Sequence, residues 1–221
     1  MKSEEIKYKG HTIEIHTDED PINPRENDNL GTMICFHRSY DLGDPMVKDD
    51  YTDQDSFKAY LKANEKQLII LPLYLYDHSG ITMNTTGFSC PWDSGQVGII
   101  YITKEKARKE YGWKSLNAAR IEKIKERLRA EVKEYDQYLT GDVYGYVVKD
   151  STGEEIHSCW GYWGSDHEAS DLLPSARGEI DATIEAQRKA HQAKLKALIQ
   201  KENAHQTIWE KVSTCPNAVK E

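Results

Sequence analysis

The chain offers no run of the ~20 apolar residues that a membrane-spanning helix needs. Its longest apolar stretch, Gln67 to Tyr76, has the length of a strand. Nor does an apolar segment follow Met1-Lys2-Ser3-Glu4-Glu5, so no secretory leader is expected. Cysteine is scarce: Cys35, Cys90, Cys159 and Cys215 form no CxxC pair and read as free thiols of a reducing compartment. GxGxxG, GxxxxGK[ST], HExxH and GxSxG are all missing. That lowers the prior for nucleotide-binding enzymes, zinc proteases and serine hydrolases, and no cofactor is expected. Phenylalanine occurs only three times, yet 13 Tyr and 5 Trp supply the aromatic mass that disordered chains lack.

What is present is charge, unevenly spread. Residues 1–60 hold 14 Asp and Glu against 7 Lys and Arg; residues 61–221 hold 23 against 22. Nearly all of the net charge of -8 therefore lies in the first quarter. Such a surface repels phosphate backbones and attracts basic partners, so direct binding to nucleic acid is not expected. A mean hydropathy of -0.75 agrees with a very polar surface. The 221 residues still suffice for a real core, since chains of this size bury roughly 70% of their unfolded surface.

Periodicity predicts an α+β protein with a mainly antiparallel sheet. Lys7 to His16 alternates around Lys9-Gly10 and reads as a hairpin, with Ile13 and Ile15 on one face. A Pro/Asp/Asn loop, Thr17 to Asn29, leads to a short strand at Thr32 to Arg38. Asp53 or Asp55 can cap a helix running to about Asn64, with Phe57, Tyr60 and Leu61 facing inward. Leu68 to Tyr76 reads as a central strand buried on both faces, and Pro72 within it calls for a bulge or an edge. Val97 to Thr103 is a further strand, and Thr103 opens a short helix through Tyr111. Ser115 is the expected cap of a longer helix. Its stripe is Ile121, Ile124, Leu128, Val132, Tyr135 and Leu139, and Thr140-Gly141 ends it. Asp142 to Lys149 and Glu155 to Trp163 form a second hairpin. A last helix spans about 176–203, with a thin stripe of Ile180, Ile184, Leu195 and Leu198. Residues 1–170 are expected to form one domain, and 171–221 a helical extension packed on it or on a partner, with a homodimer through that helix as one option.

Three places draw chemical attention. Asp77 to Gly98 is a long Ser/Gly/Asn-rich stretch between strands, and loops of that length often carry function. Tyr74, Tyr76 and Trp92 would line a pocket there. Cys90 would be the nucleophile, His78 its base and Asp77 or Asp93 the orienting carboxylate. The bland alternative is an ordered connection whose polar side chains satisfy its own backbone. Secondly, Cys35 and His37 share a strand face, as do His157 and Cys159. If those strands were neighbours, a Cys2His2 metal set would form, although partnered histidine and buried cysteine are commoner. Thirdly, Ser158-Cys159-Trp160-Gly161-Tyr162-Trp163-Gly164 is an aromatic strand. Strict alternation puts Trp160 and Tyr162 on one face and Trp163 on the other; one face packs in the core and the other makes a contact surface. Asp49-Asp50 and Asp53-x-Asp55 look calcium-like in spacing. They lack the glycine and closing glutamate of a calcium loop and read as part of an acidic binding surface.

Leu71 to Thr86, Ser89 to Gly98, Tyr135 to Tyr146 and Ser158 to Gly164 together resemble a group of proteins encoded by bacteriophages and mobile elements, over about residues 10–170. No activity is attached to that group, so it carries over no catalytic residues. The resemblance implies an accessory protein made in the cytoplasm of a bacterial host. Its expected role is to bind and inhibit a host protein, in the manner of an anti-CRISPR-like defence inhibitor. An acidic inhibitor of that kind would occupy a nucleic-acid-binding surface. A binding protein is thus the first expectation, and an enzyme or small-ligand pocket on residues 77–98 is its rival.

Overall fold

The computed structural model describes residues 4–44 and 54–213, the last ten of these as helix backbone only. Two antiparallel four-stranded sheets, each with a helix on its apolar face, give the α+β fold that the pattern predicts. The first sheet has the order β1-β2-β7-β8, built from β1 (Glu4–Tyr8), β2 (His11–Thr17), β7 (Val143–Lys149) and β8 (Glu155–Trp163). The second has the order β3-β6-β4-β5, from β3 (Thr32–Cys35), β4 (Leu68–Asp77), β5 (Ile81–Asn84) and β6 (Ser94–Thr103). The helices are α1 (Gln54–Asn64), α2 (Lys104–Tyr111), α3 (Ala118–Thr140) and α4 (Leu172–Ser213).

Each sheet owns a hydrophobic cluster. In the first, Ile13, Ile15, Tyr146 and Val148 pack against Leu172, Leu173, Ala176 and Ile180 of α4. In the second, α3 lays Ile124, Leu128, Val132 and Tyr135 against Leu71, Leu73, Leu75 and Ile100. Phe57 of α1 packs on Ile34, Leu68, Ile99 and Tyr101 in the sheet's other cluster. The first half of β4 is therefore covered on both faces, as its unbroken apolar run implies. Pro72 is tolerated because β5 pairs only with Tyr74 to Asp77, so the β4 edge is open at the proline. A register shift follows between Leu73 and Tyr74.

Local chemistry sets the helix ends. Thr103 accepts a hydrogen bond from the Lys106 N–H and caps α2. The cap of α3 is Asn117, not Ser115: its Oδ1 accepts from the Arg120 N–H at 2.9 Å. Leu116, which packs partly buried against the core, delays the helix by that much. The stretch from Asp77 to Gly98 is not one long crossing. It contains β5, and β6 starts at Ser94 rather than Val97. Asp136 of α3 ties this short edge strand down, accepting from Met83 N–H and Thr82 Oγ1, both at 2.7 Å. Likewise α4 starts at Leu172, four residues before the expected position, because Leu172 and Leu173 complete the first sheet's core.

Candidate functional site

A cavity of about 780 Å³ lies over the outer face of the first sheet, away from α4. Its floor is made by β2 and β8, through His16 and Trp160, with Trp163 and Gly161 beside them. Its wall is the loop Asp18 to Ile22 that leaves β2.

The floor depends on a β-bulge. Tyr144 faces Tyr162 and Tyr146 faces Cys159, so Trp160 and Gly161 together oppose Gly145. Gly161, at φ +86°, takes the left-handed conformation that such a bulge asks for. One extra residue reverses the alternation beyond it. Trp160 and Trp163 therefore share the cleft, and Tyr162 turns to the α4 face, where its ring lies 5.7 Å from that of Tyr146. This overturns the expectation from strict alternation, which paired Trp160 with Tyr162. The indole of Trp160 lies flat across β7 because residue 145 has no side chain: a Cβ there would stand 2.2 Å from Trp160 Cε3. Gly145→Ala should lift that indole. The expected result is a red-shifted tryptophan emission and a loss of about 1–3 kcal/mol in a denaturant melt, the usual cost of overpacking.

The wall is fixed by hydrogen bonds and by one buried ion network. The Asp18 N–H donates to Val143 O at 2.8 Å, and Asp18 Oδ1 accepts from the Asp20 N–H at 3.2 Å. Asn23 Oδ1 accepts from the Arg25 N–H and opens a 3-10 turn in which Pro24 and Arg25 are buried. The Arg25 guanidinium donates to both Asp44 oxygens at 2.6 and 3.1 Å, to Glu131 Oε2 at 3.3 Å and to Gly31 O at 2.8 Å. Glu131 in turn accepts from the N–H groups of Leu30 and Gly31. Sequence reasoning missed this trio; the one signal was a glutamate within the apolar stripe of α3, three residues after Leu128.

Electrostatically the cleft is negative. Glu19 and Asp20 are exposed, and among the described residues neither they nor Asp18 form an ion pair. Glu14, nearby on the same sheet face, is neutralised by Lys149 at 2.7 Å, which holds its carboxyl below the usual range. Trp160 is 48% exposed and Ile22 73%, so indole, aliphatic rim and carboxylates all meet solvent. Indole faces and carboxylates both attract cations, and the arrangement can take a Lys or Arg side chain.

The other predicted positions separate. Asp93 does join two of the candidate catalytic groups: the Cys90 thiol donates to its Oδ2 at 3.6 Å, and His78 Nδ1 lies 3.5 Å from the same oxygen. The carboxylate stands between thiol and imidazole, rather than behind the imidazole as an orienting group would. Asp77 accepts from Tyr40 Oη at 3.4 Å. A cavity of about 480 Å³ opens nearby beside Asp77, Asp93 and the 91% exposed Trp92, but neither Cys90 nor His78 lines it. Tyr74 and Tyr76 lie on the opposite face of β4, Tyr76 against Phe88 at 5.7 Å, so the expected Tyr74–Tyr76–Trp92 pocket does not form.

The metal set fails on topology. Cys35 ends β3 of the second sheet, while His157 and Cys159 are in β8 of the first, so the strands are not neighbours. His37 Nδ1 accepts from the N–H groups of Ser39 and Tyr40, and His157 bridges Tyr146 and Glu179. Among the described residues no group of three or more His, Cys, Asp or Glu could hold a metal ion. Asp49, Asp50 and Asp53 lie outside the described residues; Asp55 is exposed beside Lys58 at 3.4 Å. No protein-family model, curated protein or solved structure matches the chain.

Proposed function

We propose that this chain is a binding protein whose acidic, indole-floored cleft captures a basic side chain on the surface of a partner protein. The observation that carries the reading is the meeting of Asp18, Glu19 and Asp20 with Trp160 and Trp163 around one cavity of about 780 Å³. The charge that sequence places in the first quarter thus converges with the aromatic strand some 140 residues later. Aromatic anchors with desolvated charge beside them are the usual energetic centre of a protein interface. Together with the resemblance to phage-encoded proteins, this supports an accessory protein acting in the cytoplasm of a bacterial host. It would cover the nucleic-acid-binding face of a host defence protein, because such faces present Lys and Arg in rows.

The test is capture from a bacterial lysate by the full chain and by Trp160→Ala/Asp20→Asn, followed by assay of the captured protein's nucleic-acid binding. The expected result is a partner retained only by the unaltered chain, released by salt, and unable to bind nucleic acid while held. Equal retention by both proteins would dismiss the cleft.

A second reading, a ligand or catalytic site on residues 77–98, has in its favour only the shared Asp93 contact of Cys90 and His78. It predicts that Cys90→Ala and Asp93→Ala abolish an activity at unchanged melting temperature. A lower melting temperature in both would mark a structural loop.

A further inference from the structure

We propose that two copies of this chain associate through antiparallel pairing of their α4 helices, centred on Leu198. From Leu172 to Ile184 the helix is held by the first sheet. Beyond it, every described residue from Ala186 to Asn203 is exposed. The helix nevertheless continues to Ser213, so 28 residues, about 42 Å at 1.5 Å per residue, project as an arm. Isolated helices take most of their stability from packing an apolar face, and this arm has such a face. Leu195, Leu198 and Ile199 are 45, 52 and 55% exposed and recur at the three- and four-residue spacing that puts them on one side.

Charge placement selects the partner and its direction. In an antiparallel pair centred on Leu198, each Leu198 meets its counterpart. Lys194, one turn before it, comes level with Glu202, one turn after it in the other chain, and this happens twice by symmetry. Parallel, in-register pairing would instead set Lys194 against Lys194 and Glu202 against Glu202. The self-complementary patch is what a two-fold interface requires. Two arms of this length bury on the order of 1,000 Å², the size at which specific association becomes stable. The arms also carry Arg188, Lys189, Lys196 and Lys201, so they repel one another overall. Added salt screens that repulsion and tightens the pair. Binding of an acidic partner to the same arm would weaken with salt.

The full chain is measured by sedimentation at 0.05 and 0.5 M NaCl. The expected mass is twice 25.4 kDa, with tighter association at high salt. Leu198→Glu, at an exposed position, should restore the monomer without moving the melting temperature. In a background with Cys90, Cys159 and Cys215 changed to Ser, Leu198→Cys should oxidise to a covalent dimer, and Ala186→Cys should not. A monomer at both salts, a dimer indifferent to Leu198→Glu, or equal cross-linking at 186 and 198 would each overturn the proposal. None of these outcomes touches the cleft, whose binding Leu198→Glu should leave intact.

Discussion

Glu131→Ala should lower stability by about 3–5 kcal/mol, the cost of removing one partner from a buried ion pair. The side chains of Arg25 and Glu131 are each only 1% exposed, so water cannot replace what is lost. The substitution strands the guanidinium beside Asp44 alone and leaves the Leu30 and Gly31 N–H groups without their acceptor. At about 2–4 °C per kcal/mol for a chain of this size, the melting temperature should fall by roughly 10 °C. Arg25→Ala should cost a similar amount, and the double substitution less than the sum, because the two groups share one network. Arg127→Ala is the control: that side chain is 54% exposed and touches Glu131 only at 3.5 Å, and exposed pairs contribute at most about 1 kcal/mol. The network also reaches the site. It fastens the segment after Asn23 to α3, and so holds the acidic wall over the indoles. Limited proteolysis should cut Glu131→Ala between residues 18 and 31 before any other place.

Gly98→Ala is expected to be as damaging, for a steric reason. A Cβ at that position would lie 2.0 Å from Ile34 O and 2.9 Å from Cys35 Cα, both backbone atoms of β3. No rotamer relieves such a clash; β3 must move away from β6. Since β3 has four residues, pairs with β6 along its whole length, and carries Met33, Ile34 and Cys35 into the core, its displacement opens both clusters of the second sheet. The expected loss is about 3 kcal/mol, at the upper end of overpacking costs. Gly95→Ala, in the same strand with nothing within 4 Å of its would-be Cβ, should stay within about 0.5 kcal/mol of the unaltered chain. Equal melting curves for the two alanine variants would show that β3 does not approach β6 as described.

Where the information was local, it was readable. Thr103 before the short helix, Gly141 after the long one and the three-four spacing of Ile124, Leu128, Val132 and Tyr135 each act through neighbours a few residues away. The turn at Lys9-Gly10 and the hairpin at Asp150 to Gly153 follow the same rule. The misses came from pairings that sequence distance hides. Arg25 and Glu131 are 106 residues apart, and nothing in either neighbourhood names the other. The bulge at Gly161 is a different kind of miss. A period-two count assumes one residue for one residue, and a single added glycine turns every later side chain over. Trp160 and Trp163 stand out in the sequence as aromatics, but their shared face follows from that bulge. The first sheet's hydrophobic cluster was hidden likewise, since β7 joins the β1-β2 hairpin only after 125 residues of intervening chain.

The most direct test of the cleft is a titration of the full chain with a hexa-arginine peptide, followed by tryptophan fluorescence and calorimetry at 0.05 and 0.3 M NaCl. The account predicts saturable one-site binding that perturbs Trp160 emission and weakens with salt. Either Trp160→Ala or Asp18→Asn/Glu19→Gln/Asp20→Asn should weaken it at least tenfold while the chain stays folded at the temperature of the titration. Binding that survives both variants, or an emission spectrum that never responds, would contradict it.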